Sequence, residues 1–168
     1  DNVKIPSTIT VSSTGNYTGG IIGRATTATI TNSYSKANVS TTLSSNSNSN
    51  GRIGGLAGTI SKPTVENCYA SGNITGNVLY VGGLIGTTGT GTVTNSYASG
   101  NVSGYSQSGG LIGNASSTTI SRSYAKGNVT CSESYVGGLI GYTKSTKITE
   151  SYASGNISGK TYIGGLVG

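Results

Sequence analysis

The 168-residue sequence lacks phenylalanine, tryptophan, methionine and histidine, and only 8% of its residues are charged. The absence of histidine removes the commonest general base and metal ligand. Because hydrophobic residues make up only 33% of the chain, a thick multilayered core is difficult to build. Such a composition also occurs in disordered chains. We do not predict disorder, because the apolar residues recur at regular positions, and a solenoid needs only a thin core between its stacked coils.

Acidic residues are scarce, with four of them against ten lysines and arginines and a net charge of +6. The basic residues are spread singly and form no stripe or nucleic-acid-binding motif, so no nucleic acid partner is expected. The carboxylates form no glycosidase-like pair and no recurring aspartate row of the kind that calcium-binding solenoids use. We therefore predict no catalytic, metal-binding or cofactor-binding residues, no cofactor and no enzyme activity.

The surface composition predicts a location outside the cell. No apolar stretch is long enough to span a membrane and no signal peptide is evident, so no membrane insertion of this segment is expected. The chain begins with Asp1 rather than methionine, which suggests a processed chain or a piece of a longer one. Few charges and many serine, threonine and asparagine residues are typical of an extracellular or cell-surface protein.

A repeat of Gly-Gly pairs organises the chain. A β-branched residue follows each of the first five pairs by 11 positions, and an asparagine follows that residue by 8 more. The length varies only between that asparagine and the next pair, where the spacing is 16, 9, 8, 9 and 8 residues. This pattern indicates a repeat array. We divide it into a degenerate half-repeat at residues 1–16 and, at 17–168, five repeats plus the start of a sixth.

The repeat of 27–28 residues has no helical periodicity, and its glycine and β-branched content opposes a helix. We predict an all-β fold, a right-handed parallel β-solenoid (β-helix) with three short strands per coil. In the third repeat these strands are expected at 80–85, 92–99 and 101–103. A set of β-hairpins is the main alternative, and it is disfavoured because tight Asn-Gly turns do not recur where they are needed.

Four inward rows are expected, each with one residue from each coil. Stacked like residues bury one another, and a fully buried aliphatic side chain contributes very roughly 1.5–3 kcal/mol. The rows are Ile21, Leu56, Leu84, Leu111, Leu139 and Leu166; Ile30, Val65, Val93, Ile120 and Ile148; Val39, Ile74, Val102, Val129 and Ile157; and the small residues Ser33, Cys68, Ser96, Ser123 and Ser151.

The combination of Gly-Gly-Leu-x-Gly, Asn-Ser-Tyr-Ala-Ser-Gly and Asn-Val/Ile-Ser resembles the GLUG motif. The likeness extends from Tyr17 to Gly168, and the first unit departs from it with GGIIG and with Ala37 before Asn38. The resemblance implies large bacterial-type surface or secreted proteins, including some immunoglobulin-A-cleaving peptidases and adhesins. In those proteins the repeats look like stalk or presentation modules rather than the catalytic part.

The two cysteines are not expected to pair with each other. Cys68 and Cys131 lie two coils apart, at least about 9.6 Å on the usual strand spacing, which exceeds the usual disulfide reach of about 7 Å. We interpret Cys68 as a small buried thiol and Cys131, in the variable region, as a peripheral one.

Seven asparagines are formal N-glycosylation sequons. A turn that needs asparagine, followed by an inward residue and a polar one, produces the same pattern, and we favour this structural interpretation. The candidate glycosylation sites are Asn16, Asn38, Asn73, Asn101, Asn114, Asn128 and Asn156.

Two tyrosine rows and a threonine array are the remaining surface features. An unbroken row, for which we favour a packing role, contains Tyr34, Tyr69, Tyr97, Tyr124 and Tyr152. A broken row before the Gly-Gly pairs, predicted to be exposed, contains Tyr17, Tyr80, Tyr135 and Tyr162, with Arg52 and Gln107 in the gaps. A glycan- or ice-binding face that uses an exposed tyrosine or threonine row is the alternative function, although Glu66, Ser121 and Lys147 interrupt the threonines.

The two ends suggest self-association. The chain stops after the first face of a coil, and a strand at 8–12 near the N-terminus offers a second face, with a spacing from Gly164 to Ile9 of 13 against the usual 11. Uncapped solenoid ends invite pairing. The candidate assembly edge comprises Thr8, Ile9, Thr10, Val11, Ile163, Leu166 and Val167. The predicted function is thus an extracellular structural repeat protein: a surface stalk, an adhesin or a head-to-tail fibril subunit, with possible carbohydrate binding.

Overall fold

The computed structural model describes residues 3–5, 9–43 and 50–168. In these ranges every regular element is a β-strand, and the strands pair in parallel from one coil to the next. The predicted all-β parallel β-solenoid is therefore confirmed. Thr8 and the serine- and asparagine-rich run at 44–49 lie outside the described residues.

The strands are numbered β1 to β26 and fall into six successive coils. Coil 1 contains β1 (Lys4–Ile5), β2 (Thr10–Ser13), β3 (Tyr17–Gly19) and β4 (Ile22–Thr31). Coil 2 contains β5 (Tyr34–Ser35), β6 (Asn38–Thr41), β7 (Arg52–Gly54) and β8 (Ala57–Glu66). Coil 3 contains β9 (Tyr69–Ala70), β10 (Ile74–Gly76), β11 (Tyr80–Gly82), β12 (Ile85–Thr88) and β13 (Gly91–Thr94).

The last three coils follow the same order. Coil 4 contains β14 (Tyr97–Ala98), β15 (Val102–Gly104), β16 (Ser108–Gly109), β17 (Ile112–Ser116) and β18 (Thr118–Ser121). Coil 5 contains β19 (Tyr124–Ala125), β20 (Val129–Cys131), β21 (Ser134–Gly137), β22 (Ile140–Lys144) and β23 (Lys147–Thr149). Coil 6 contains β24 (Tyr152–Ala153), β25 (Ile157–Ser158) and β26 (Thr161–Gly164), followed by a bridge from Val167 to Ile140.

Equivalent strands form four sheets, which we name A to D in the order in which the chain enters them. Sheet A contains β1, β5, β9, β14, β19 and β24; sheet B contains β2, β6, β10, β15, β20 and β25; sheet C contains β3, β7, β11, β16, β21 and β26. Sheet D contains β4 and β8 and then two strands from each of coils 3 to 5, namely β12, β13, β17, β18, β22 and β23. Between residues 80 and 104 the structure thus has five strands where the sequence predicted three.

Two turns divide the predicted strands. The chain bends at Gly83 and Leu84, which separates β11 in sheet C from β12 in sheet D. A second bend, at Asn95 with φ 48°, separates β13 from β14. The same corner between sheets D and A recurs with a positive φ in every repeat, and asparagine is one of the few residues that tolerate this conformation. Its members are Asn32, Asn67, Asn95, Arg122 and Glu150.

Two columns of side chains fill the interior. One is built from sheets D and A and includes Leu84, Val93 and Ala98, and the other is built from sheets B and C and includes Val81 and Val102. All members of the four predicted inward rows are buried in the middle coils, as expected. In the C-terminal coil Leu166 is 37% exposed, because no described coil covers it.

The N-terminal strand β2 joins sheet B. The head-to-tail spacing compared Ile9 with the residue that follows each Gly-Gly pair by 11 positions, a row that lies in sheet D, whereas β2 pairs with β6 so that Val11 lies beside Val39. Thr10, and not Asn16, therefore lies beside Asn38. In this register Val11 is half-buried and packs against the core column of sheets B and C.

Candidate binding groove

The Gly-Gly-Leu-x-Gly signature forms the corner between sheets C and D. A Cβ atom on Gly86, the last glycine of one signature, would lie 2.5 Å from the carbonyl oxygen of Gly58 and 2.8 Å from the amide nitrogen of Ile53. Only glycine lets the backbones approach so closely. The corner therefore brings outward side chains of sheet C beside those of sheet D.

Two outward rows meet along this corner. We call the row in sheet C the mixed column; it contains Tyr17, Arg52, Tyr80, Gln107, Tyr135 and Tyr162. We call the row in sheet D the facing row; it contains Arg24, Thr59, Thr87, Asn114 and Tyr142. The sequence predicted the mixed column to be exposed; Tyr162 is exposed, but the other five members are half-buried. The sequence analysis missed the facing row, whose signal is its constant place directly after each signature.

At the N-terminal end of the corner the two rows hold a pair of arginines on tyrosine rings. The Arg52 guanidinium lies 5.3 Å from the ring centroid of Tyr17 and 4.9 Å from that of Tyr80. The Arg24 guanidinium lies 4.9 Å from the same Tyr17 ring. Such cation–π contacts contribute about 0.5–1 kcal/mol each at exposed sites. They hold both guanidinium groups against aromatic rings and so order the two side chains at this corner.

A groove of about 320 Å³ lies beside these arginines. Its polar wall includes Thr59 and Thr87, whose hydroxyl oxygens are 2.7 Å apart, and Asn114, whose Nδ2 donates to Gln107 Oε1 at 2.6 Å. We call this cavity the arginine groove.

The C-terminal end of the same corner is built differently. Tyr135 stacks on Tyr162 at 4.7 Å and meets Tyr142 edge to face at 5.3 Å. Aromatic rings therefore occupy the space that the arginine groove leaves open, on the same backbone.

The charge of the arginine groove is not neutralised by a carboxylate among the described residues. Within the described ranges the one ion pair joins Lys160 and Glu133 in the two C-terminal coils. Arg52 donates to the carbonyl oxygen of Asn50 at 2.6 Å. The guanidinium groups therefore give this end of the corner a local positive charge.

The unbroken tyrosine row, which we call the tyrosine column, lies on the outside of sheet A. Its rings stack in parallel, with centroid distances of 4.8, 4.9, 4.8 and 5.1 Å from Tyr34 to Tyr152. Burial, and to a smaller extent the neighbouring Tyr124 and Tyr69, raise the pKa of Tyr97. The tyrosine column thus covers the coil boundaries, as the packing interpretation expects.

The asparagines of sheet B form a hydrogen-bond ladder. The Oδ1 atom of each accepts the backbone N–H of the next, at 2.9 Å from Asn73 to Asn38 and 3.0 Å from Asn101 to Asn73, and the ladder continues to Asn128 and Asn156 at 2.9 Å. This ladder gives the row a structural purpose that is independent of any glycan. Asn16 lies outside the ladder, and Asn114 belongs to the groove wall. Glycosylation of the seven sequons remains a prediction.

Both cysteines are free and buried. Cys68 lies in the small inward row, as predicted. The prediction that Cys131 is peripheral was wrong: it takes the place of Gly104 in sheet B, is 4% exposed, and donates its thiol to the Tyr105 carbonyl oxygen at 2.9 Å. Burial raises the pKa of both thiols.

The threonine array lies in sheet D, where Thr92 pairs with Thr64 and Thr119. Lys147 continues this row beyond Thr119. In the neighbouring outward row of the same sheet, Thr94 lies between Glu66 and Ser121. The interruptions noted in the sequence therefore fall within the rows themselves.

The predicted assembly residues lie at opposite ends of the rod. Thr10 and Val11 belong to β2, the outermost strand of sheet B, and Ile163 belongs to β26, the outermost strand of sheet C. Ile9 is 43% and Ile163 50% exposed.

Within the described ranges, no three histidine, cysteine, aspartate or glutamate side chains lie close enough together to hold a metal ion. A helix of the length and apolarity needed to cross a membrane is likewise not found in that part of the chain.

The stacked coils, glycine corners and side-chain ladders define a repeat protein of the parallel β-solenoid class. The family model described as the GLUG motif matches five times, at residues 14–40, 49–75, 77–103, 104–130 and 132–158. The chain therefore belongs to the GLUG family, as its resemblance implied. No curated protein and no solved structure gives a significant match to it.

Proposed function

We propose that this chain is a non-catalytic structural module of a surface or secreted protein, where it acts as a rigid spacer or stalk. The continuous stacking of the coils carries this proposal. Buried rows, the tyrosine column and the asparagine ladder all run along the same axis. At about 4.8 Å per coil, the six coils make a rod roughly 25–30 Å long.

A height measurement tests the spacer role. One, two or three tandem copies of the chain are placed between an anchored domain and a fluorescent reporter on a bead. The height of the reporter above the bead should rise by about 25–30 Å for each copy, because coils add along one axis. A height that does not increase with copy number would rule out a rigid spacer.

The extracellular location needs a separate measurement on the cells that make the protein. Intact cells and their medium are probed with an antibody before and after treatment with an impermeant protease. The protein should be found in the medium or be removed from the surface. Retention of the whole pool inside protease-treated cells would overturn the location.

End-to-end self-association is a second role, favoured by the distribution of exposed apolar side chains. In the described ranges six of the seven exposed large hydrophobic side chains lie in the two end coils, at Val3, Ile9, Tyr152, Tyr162, Ile163 and Leu166, and the seventh, Tyr142, lies in coil 5. Such faces fit another coil of the same kind, supplied by the same polypeptide or by a second copy. Sedimentation at increasing concentration should show association that Ile163→Asp weakens, whereas a monomer throughout would exclude it for this chain.

A further inference from the structure

We propose that the arginine groove binds an acidic carbohydrate through a sugar carboxylate. This is a binding function separate from the spacer role, so either can fail without the other. The proposed site lies at the N-terminal end of the corner between sheets C and D, in coils 1 to 4.

The cationic part of the groove is preorganised. Arg52 is held between the rings of Tyr17 and Tyr80, and Arg24 lies on Tyr17 as well. A guanidinium is planar and presents a fork of N–H donors that matches the two oxygens of a carboxylate. One Arg52 nitrogen already donates to the carbonyl oxygen of Asn50, and its remaining donors and those of Arg24 face the ligand. Because the side chain is already ordered by stacking, less conformational entropy is lost when a ligand binds.

The remaining lining fits the hydroxyl groups of a sugar. Thr59, Thr87 and Asn114 supply hydroxyl and amide groups along one wall, and each can both donate and accept hydrogen bonds. The volume of about 320 Å³ is at the small end of the usual range for ligand sites, about 300–1,000 Å³. A site of this size fits one or two sugar units of a longer chain that continues along the open corner.

The charge pattern selects an acidic sugar over a neutral one. The ion pair of Lys160 and Glu133 lies at the other end of the rod, and the described residues place no carboxylate in the lining of the groove. The C-terminal end of the corner serves as an internal contrast, since the equivalent positions there are filled by Tyr135, Tyr142 and Tyr162. The proposal therefore predicts one site on the rod, not a site in every repeat.

Calorimetric titration with a galacturonic acid pentamer tests the proposal, with the methyl ester of the same pentamer as the uncharged control. The full chain should bind the acid form at least about tenfold more tightly than the ester, as expected for the loss of charge-assisted hydrogen bonds. No binding of the acid form, or equal affinity for both forms, would overturn the proposal.

Three variants locate the site. Arg52→Gln and Arg24→Gln should each weaken binding about tenfold or more. Arg122→Gln removes the same charge from a distant corner, where Arg122 Nε donates to Asn95 Oδ1 at 2.7 Å, and should leave the affinity unchanged. An equal loss in all three variants would indicate unspecific attraction to a basic rod and would contradict the proposal. Arg24 is exposed, so its variant remains informative if Arg52→Gln disturbs folding.

Discussion

The tyrosine column on sheet A and the mixed column on sheet C both run along the rod but differ in regularity. In the tyrosine column five like rings stack at 4.8–5.1 Å without interruption. In the mixed column Arg52 and Gln107 separate tyrosines, and the rings contact guanidinium groups instead of one another at the N-terminal end. The tyrosine column repeats the same ring-stacking contact between successive coils. The mixed column instead forms the arginine groove at one place on the rod.

The largest expected effect concerns the core that supports both columns. A Cβ on Gly83 would overlap the carbonyl oxygen of Gly110 and lie 2.8 Å from the Ala98 Cβ. Gly83→Ala should therefore lower the free energy of unfolding by about 3 kcal/mol or more. Gly165 occupies the same place in the last repeat, where an added Cβ would meet no heavy atom within 4 Å. Gly165→Ala should therefore change the free energy of unfolding by less than about 0.5 kcal/mol. Denaturant titration of both variants checks this, and equal losses would contradict the role of coil stacking.

The next effect separates the interior from the end of the tyrosine column. Tyr97 stacks on two rings, at 4.9 and 4.8 Å, so Tyr97→Ala should cost about 2 kcal/mol of unfolding free energy. Tyr152 stacks on one ring and is 50% exposed, so Tyr152→Ala should cost clearly less. Thermal and denaturant unfolding measure both, and Tyr97→Phe is the control that keeps the stacking. If the two alanine variants lose the same stability, stacking is not what the column contributes.

A third variant tests whether the repeated hydrogen bonds of the asparagine ladder contribute to stability, as the repeated ring contacts of the tyrosine column do. Asn101→Ala removes the acceptor of the Asn128 backbone N–H, a bond of 2.9 Å, and should cost about 1 kcal/mol. Asn101→Asp keeps an acceptor and should retain most of the stability. Denaturant titration measures the loss, and the mass of the intact protein before and after glycan removal reports whether this sequon carries a glycan. A neutral Asn101→Ala variant would show that the ladder adds nothing.

A smaller effect is expected in the mixed column. Tyr80→Ala removes one ring beside Arg52, a contact at 4.9 Å, and should cost about 0.5–1 kcal/mol. The prediction is that this loss, measured by denaturant titration, stays below that of Tyr97→Ala, with Tyr80→Phe close to wild type. The reverse order would mean that the mixed column is the more important of the two for stability.

The smallest effect is a dependence of stability on alkaline pH. The pKa of Tyr97 is raised in the folded protein, so its contribution is fully present below the pKa of an unfolded tyrosine, about 10. The contribution is lost as the pH rises through the folded pKa, because the unfolded state releases the proton first. Tyr97→Phe, with both cysteines retained, should therefore show a shallower fall in unfolding free energy at alkaline pH. An identical slope would argue against this shift.

The repeating positions were predictable from the sequence because each row depends on a contact between like residues. Leu84, Val93 and Val102 are buried where the spacing placed them, whereas the bend at Asn95 divides the single strand that was predicted at 92–99. The register of β2 was not predictable, because this strand lies outside the regular repeats and its spacing occurs only once. Its pairing with β6 is what places Val11 beside Val39. The burial of Cys131 was missed because the position was treated as part of the variable loop, although Gly76, Gly104 and Gly159 stand at the same distance after their ladder asparagines and Gly104 pairs with Cys131.

The sequence by itself determined that the chain is a GLUG solenoid, since the order and spacing of glycines, β-branched residues and asparagines specify coils that can bury themselves only on one another. The tertiary structure decided what lies on the outside. Tyr17, Arg52 and Tyr80 meet because successive coils stack in sheet C, and the glycine corner brings Arg24 of sheet D beside them. A binding site assembled from residues of several coils has no local signature, and contact across coils is what creates it.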